Sequence, residues 1–347
     1  MVKEIIVDVG AEETRVALLE DKELTELYIE KNHNDRLVGN IYRGKVCSVL
    51  PGMQAAFIDI GFEKNGFLYV GDAIPQKEYY EDGDDAQLDY KGYNIEELLR
   101  PGQEITVQVT KEPFGTKGPR LTTHITLPGK HMVLLPNADY IGVSRRIESE
   151  SERNKLRKIA ERLKPKGMGI ICRTVSEGKS EEDFSSDLSF LLKLWDKIKV
   201  KEKSGAVPRC LYRDENIIFR SIRDFFTVDV DRFIINDRTQ YNKVLEVMDM
   251  ISPALKLKVQ CFSKNYDLFE YYNVEYQISK AVARKIWLKC GGYIIIDKTE
   301  ALTVIDVNTG KYVGKSNLEQ TVLKTNIDAA KEIAKQLRLR DIGGIIL

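Results

Sequence analysis

The chain has 347 residues, 43% apolar and 31% charged, and its 53 basic and 53 acidic side chains balance to zero net charge. That composition is the one expected of a soluble globular protein, and the length allows two or three domains with cores of their own. No apolar run approaches the roughly 20 residues of a membrane-spanning helix, so helical membrane, collagen-like and wholly disordered classes are excluded. The N-terminus, with Glu4 and Asp8 interrupting any apolar core, does not read as a signal peptide, and a cytoplasmic location is the expectation.

The chain opens with two short strands, Ile5 to Val9 and Thr14 to Leu19, and Glu23 to Glu30 offers a third. Three short strands bury too little alone, so this meander needs partner strands from elsewhere in the chain. From Gly39 to about Ile125 the pattern becomes short alternating strands, Asn40 to Val49, Ala55 to Ile60, Gly66 to Val70 and Glu104 to Val109, punctuated by Pro51-Gly52 and Pro101-Gly102. These four strands and a fifth in the remainder of that span, with one longer excursion between the third and the fourth, give the five-strand layout of an OB-fold barrel. The excursion is acidic: the stretch from Gln76 to Arg100 carries −5 and the remainder of the chain +5. A positive excess outside one acidic loop permits nucleic-acid binding without demonstrating it.

A helix is expected from Ser149 to Leu163, with Leu156, Ile159, Ala160 and Leu163 on one face, before a buried strand from Met168 to Cys172. A second helix, Glu181 to Val200, places Phe184, Leu188, Leu191, Leu192, Trp195 and Ile198 on one stripe. Beyond Pro208 the pattern reads as strands near Ile217 to Arg220 and Thr227 to Ile235, a helix from Thr239 to Met250, and helix over much of Leu268 to Trp287. A hairpin follows, Tyr293 to Asp297 and Ala301 to Asp306, and then a long helix to about Leu339 that starts at Ser316 with Glu319 closing a capping box. Asp341 to Leu347 starts a strand and stops within it, which reads as a fragment of a longer chain.

Cys47, Cys172, Cys210, Cys261 and Cys290 stand at long spacings with no Cys-x-x-Cys, and His33, His124 and His131 are not near them, so neither a zinc site nor a disulfide framework is expected. They read as small buried hydrophobes. With so few histidines, chemistry should rest on carboxylates, arginines, lysines and a metal. The segment Thr303-Val304-Ile305-Asp306-Val307-Asn308-Thr309-Gly310 delivers a carboxylate at the end of an apolar strand, directly before a polar glycine turn. Such an aspartate either caps its turn or holds a metal; magnesium in phosphodiester chemistry is held by one or two carboxylates and keeps several waters. Gly310-Lys311-Tyr312-Val313-Gly314-Lys315-Ser316 fails the phosphate-loop spacing, because three residues separate its glycines where four are needed. On the barrel strands, Phe57 and Phe67 are either core rings or surface rings on which bases stack. Lys111 and Lys117, in the stretch that follows, are either phosphate contacts or simply solvated. Arg173 and Thr174 close a strand, where a guanidinium fork and a hydroxyl suit a terminal phosphate.

Together these segments resemble the catalytic half of the ribonuclease E/G family. The matching stretches are Asn40 to Gly44, Gly52 to Leu68, Leu121-Thr122-Thr123, Gly142 to Ile147, Gly167 to Thr174, Asp187-Leu188, Ala301 to Asn308 and Thr325 to Gly344, in the family's order over nearly the whole chain. The resemblance implies an α+β multidomain fold. An RNase H-like domain in two parts, 1–38 and 212–282, would be split by an S1-type OB-fold RNA-binding barrel at 39–125 and a 5′-sensor domain at 126–211. An incomplete DNase I-like α/β catalytic domain would follow at 283–347. The split domain would be structural, so Asp8 is assigned no metal. The implied activity is endonucleolytic hydrolysis of single-stranded, AU-rich RNA with Mg2+, stimulated by a 5′-monophosphate, in RNA decay or ribosomal-RNA processing. By residue-level matching, Asp306 is a magnesium ligand and Asn308 helps place the scissile phosphate. Phe57, Phe67 and Lys117 match RNA-gripping positions, with Lys111 beside them; Arg173 and Thr174 match the 5′-monophosphate contacts, with Gly129 and Val133 lining that pocket.

Two features depart from the family pattern. The second magnesium aspartate implied by the resemblance falls just past Leu347, so residues 1–347 are expected to bind RNA but cleave it poorly. The Cys-Pro-x-Cys zinc link between protomers is absent, so a zinc-linked dimer is not expected, and a homo-oligomer of another kind stays open. A non-catalytic RNA-binding module is the alternative to the nuclease. An actin-like nucleotide-binding fold, prompted by Asp8-Val9-Gly10, lacks the further glycine turns that would bind phosphates.

Overall fold

A computed structural model of the chain describes residues 1–32, 36–74, 92–115, 117–251, 253–311 and 318–347. The acidic stretch from Gln76 to Lys91, the Gly314-Lys315-Ser316 segment and the expected helix cap at Ser316 lie outside the described residues. The chain forms two compact units, Met1–Asn34 with Ile217–Leu347, and Asp35–Asn216.

The meander forms as expected from β1 (Lys3–Val9), β2 (Glu13–Glu20) and β3 (Glu23–Lys31), all antiparallel. Asp21 and Lys22, both at positive φ, make the two-residue turn between β2 and β3 whose twist suits a hairpin. The barrel consists of β4 (Ile41–Leu50), β5 (Ala55–Asp59), β6 (Gly66–Tyr69), β7 (Glu104–Lys111) and β8 (Arg120–Thr122). They pair in the order β4-β5-β6-β8-β7, and β4 pairs with β7 to close the ring. A closed five-stranded barrel leaves no free edge and is consistent with an OB-like fold. Strand alternation puts Val46, Ala56, Ile58, Leu68, Val107, Val109 and Leu121 inside and leaves Phe57 and Phe67 half-exposed outside. Only glycine fits at position 66, where a Cβ would stand 2.3 Å from Leu121 Cδ1.

In the same unit, β9 (Leu127–Pro128), β10 (Met132–Leu135), β11 (Ile141–Val143) and β12 (Gly169–Cys172) form a sheet in the order β11-β12-β10-β9. Helices α1 (Glu150–Leu163) and α2 (Glu181–Glu202) share its core. Ser149 caps α1, and Ser180 with Asp183 makes a reciprocal capping box on α2. The α2 stripe is buried as expected at Phe184, Leu188, Leu191, Trp195 and Ile198. β13 (Arg209–Tyr212) pairs with β4.

The stretch after Pro208 corrects the sequence reading. Where a strand was expected at Ile217 to Arg220 there is a helix, α3 (Ile217–Phe225); its buried residues are Ile217, Ile218, Ser221 and Ile222, a helical spacing and not an alternation. Of Thr227 to Ile235 only β14 (Arg232–Ile235) is strand, and α4 (Arg238–Ile251) and β15 (Val259–Cys261) follow. These strands complete a sheet in the order β15-β14-β1-β2-β3, supplying the partners that the meander lacked. In place of one helix over Leu268 to Trp287 there are two short ones, α5 (Leu268–Tyr271) and α6 (Val274–Ala281), parted by Asn273 at φ 57°, and then β16 (Lys285–Trp287).

β17 (Tyr293–Lys298) and β18 (Leu302–Asn308) make the expected hairpin. After α7 (Leu318–Leu339), β19 (Ile345–Ile346) joins β18 in parallel, giving a sheet in the order β16-β17-β18-β19. Ile286, Ile294, Ile296 and Ile305 on one face of it share a core with Ala329 and Ile333 of α7. Of the five cysteines only Cys172 is fully buried; Cys47 is exposed and the other three are partly covered, so the reading as buried hydrophobes holds for Cys172 alone. Among the described residues no helix is long and apolar enough to cross a membrane.

Candidate functional site

The C-terminal end of β18 is built by alternation. Ile305 points into the α7 core, so its neighbours Val304, Asp306 and Asn308 lie on the opposite, open face. Asp306 is exposed, and Asn308 Nδ2 donates to its Oδ2 at 2.8 Å. A turn cap would need a main-chain N–H on that carboxylate; the hydrogen bond it accepts comes instead from the side chain two residues on. Among the described residues no cation pairs with Asp306, and no group of three or more His, Cys, Asp and Glu side chains could hold a metal. Such a donor set suits a hydrated hard cation held on one carboxylate and its own waters, and does not suit an ion caged by protein alone. Asn308 would then act by fixing the carboxylate's orientation.

On the barrel, Phe57 and Phe67 sit directly opposite each other on β5 and β6, edge to face with ring centroids 5.9 Å apart. Register continues the row through Arg120 on β8 to Lys111 on β7. Arg120 donates to Asp72 from Nε at 3.1 Å and from Nη2 at 2.8 Å, yet its side chain stays 43% exposed. Sequence reasoning missed Arg120, because only the register reveals that it adjoins the rings. Lys117 is exposed and exchanges main-chain hydrogen bonds with Phe114, whose ring is 85% exposed. Phe114 was missed too, although its Pro-Phe-Gly setting, outside any strand pattern, is a signal for an unburied ring. The face thus combines aromatic rings with cations, the combination that binds single-stranded nucleic acid.

The third group lies on the β9–β10 sheet. Arg173 Nη1 donates to Gly129 O at 2.7 Å, and its main-chain N–H donates to His131 O at 2.9 Å. Thr174 Oγ1 lies 2.9 Å from Ser144 Oγ, and Val133 is half-buried on β10 opposite Ile171. Asp187 of α2 organises the turn that holds Gly129. Its carboxylate accepts from the main-chain N–H groups of Lys130 at 3.1 Å, His131 at 2.8 Å and Met132 at 3.2 Å. A Cβ on residue 129 would stand 2.6 Å from both Asp187 oxygens, which is why glycine is required. Asp187 had no role assigned from the sequence, but a carboxylate at helical spacing between buried Phe184 and Leu191 was the signal for one. Burial, with Lys179 nearby, pushes the Lys130 ammonium below the ordinary lysine range.

These elements belong to a ribonuclease lineage: the chain is a member of the ribonuclease E/G family, whose sequence model matches residues 126–347. It is 44% identical over 347 residues to Ribonuclease G of Salmonella typhimurium, covering all of this chain and 71% of that protein. Ribonuclease G of Escherichia coli is 43% identical over the same length, again with 71% of the relative covered. Ribonuclease E of a Nostoc species is 42% identical over 352 residues, which span all of this chain and 49% of the relative.

Proposed function

We propose that the chain is an endoribonuclease that hydrolyses single-stranded, AU-rich RNA with Mg2+ and responds to a 5′-monophosphate, in the cytoplasm, in RNA decay or ribosomal-RNA processing. The observation that carries the reading is Asp306: a solvent-open carboxylate at a strand end, oriented by Asn308. When bound there, magnesium polarises the phosphoryl oxygen and lowers the pKa of the attacking water. Asn308 keeps the carboxylate aimed and offers its amide to the scissile phosphate. Phe57 and Phe67 stack bases, while Lys117, Lys111 and Arg120 neutralise neighbouring phosphates. Arg173 and Thr174 supply a guanidinium and a hydroxyl to the 5′-phosphate, on the turn fixed by Gly129 and Asp187, with Val133 as an apolar wall. The divided domain architecture named above, with an RNase H-like part carrying no metal, accompanies this reading, as does a homo-oligomer that needs no zinc link.

The assay is run with enzyme in excess over a 5′-monophosphorylated oligoribonucleotide. Asp306→Asn should lower the Mg2+-dependent rate by on the order of 100-fold or more, since such polarisation is worth several kcal/mol. RNA affinity should stay within about twofold. Undiminished cleavage by the variant would overturn the assignment. RNA binding with no metal-dependent cleavage in the parent chain would favour the other reading, a binding module, for which the paired barrel rings are the supporting observation.

A further inference from the structure

The open face of β16 to β18 carries more than Asp306 and Asn308. Strand register lays two rows across it, Trp287, Tyr293 and Asn308 in one and Lys285, Ile295 and Asp306 in the other. Each row ends on a member of the proposed cleavage pair. Trp287 and Tyr293 meet edge to face with centroids 5.4 Å apart, and the Lys285 ammonium lies 4.4 Å from the first ring centroid and 3.7 Å from the second. Asp297, on the same face of β17, is matched by Arg284 at 2.6 and 2.7 Å and so does not offset Lys285.

Folding does not account for this cluster. The chain has two tryptophans; Trp195 is 6% exposed inside a core, whereas Trp287 stays 55% exposed on an edge strand, where it gains little from burial. A flat exposed ring with a cation over it is the chemistry that receives a nucleobase and its phosphate.

We infer that Trp287, Tyr293 and Lys285 form a base-stacking platform for the RNA strand next to its scissile bond, an inference that rests on Asp306 and Asn308 marking that bond. A base stacks on the Trp287 indole, Tyr293 supports the indole edge-on, and Lys285 turns to the adjacent phosphate. Two strand spacings, roughly 10 Å, separate β16 from β18. Even a stacked strand advances about 3.4 Å per nucleotide, so the base lies within about three nucleotides of the cut. Every base has a π-face, so the platform is indifferent to base identity. It selects unpaired RNA, because in a duplex those faces are already covered.

The test uses the chain with Asp306→Asn, which keeps the RNA intact, and a short single-stranded A/U oligoribonucleotide. Binding is followed by anisotropy of the labelled RNA and by tryptophan emission, with Trp287→Phe supplying the Trp195 baseline. Emission from Trp287 should be quenched at saturation. Trp287→Ala should weaken binding about 5- to 150-fold. Trp287→Tyr should recover most of that loss, and a duplex of the same sequence should leave the emission unchanged. RNA that binds by anisotropy while Trp287 emission is unchanged and Trp287→Ala shifts affinity less than twofold overturns the platform and leaves the Asp306 reading standing. Undiminished cleavage by Asp306→Asn overturns that reading instead, and no binding at all overturns both.

Discussion

Asp8 and Asp306 stand in nearly the same local sequence, Ile6-Val7-Asp8-Val9-Gly10 and Val304-Ile305-Asp306-Val307-Asn308, and in opposite surroundings. Asp8 is 7% exposed, and its carboxylate is used up by Arg15 Nε at 3.1 Å, Arg15 Nη2 at 2.5 Å and Asn236 Nδ2 at 2.7 Å. Asp306 is exposed and accepts from Asn308 alone among the described residues. A strand-end aspartate whose lone pairs are filled by protein holds the fold together. One whose lone pairs face water is available to an ion. The distinction lies in partners that the local pattern does not contain.

The contrast can be broken by exchanging the expected roles. The largest effect is the loss of cleavage in Asp306→Asn, with chemical denaturation unchanged within about 0.5 kcal/mol, as for an exposed site. Asp8→Ala should do the reverse. Removing one partner of a buried pair costs about 3–5 kcal/mol. Glu275 still holds Arg15 at 2.6 Å, which puts the expected loss near 3 kcal/mol in urea unfolding. A stable Asp8→Ala variant that has lost cleavage would reverse the assignment of the two carboxylates.

Gly129→Ala sharpens the comparison from the other unit, where Asp187 is a third carboxylate filled by protein N–H groups. Overpacking against its oxygens should cost about 1–3 kcal/mol and remove the rate advantage of 5′-monophosphorylated over 5′-hydroxyl RNA. Equal advantage in variant and parent would detach that turn from phosphate recognition.

A smaller effect is set by pH. Burial pushes the His124 imidazole below its ordinary value of 6.5, and its Nε2 lies 2.9 Å from Ile74 O. Below pH 6.5 the unfolded chain takes up a proton that the folded barrel resists, so this contribution to stability is present above 6.5 and lost as pH falls. The slope is at most about 1.4 kcal/mol per pH unit. Denaturation midpoints at pH 7.5 and 5.0 should differ less in His124→Gln than in the parent; an equal difference would assign the acid sensitivity elsewhere. Smallest of all, Arg120→Ala should weaken RNA binding by a few-fold, since its charge is shared with Asp72.

What was legible from sequence was local. The β17–β18 hairpin, the barrel strands and the α2 stripe each declare themselves by period within a dozen residues, and Asp306 stands out because an apolar run ends on it. The parallel partner of β1 was not legible: β14 pairs with it from more than 200 residues away, β15 adds in parallel to β14, and no local pattern encodes that register. The run Ile217-Ile218-Phe219 suggested a strand by composition, but its burial follows a helical period, and the tertiary core decided. Arg120, Trp287 and Tyr293 gain their meaning only from cross-strand register, which sequence spacing alone does not supply.

The account stands on Asp306 holding a divalent ion. Mn2+ serves as a paramagnetic stand-in for Mg2+ at an oxygen site, so its binding to the parent chain and to Asp306→Asn can be compared by electron paramagnetic resonance. One bound ion in the parent, weakened at least about tenfold in the variant, is the predicted result. Equal Mn2+ affinity and stoichiometry in the two proteins would contradict it.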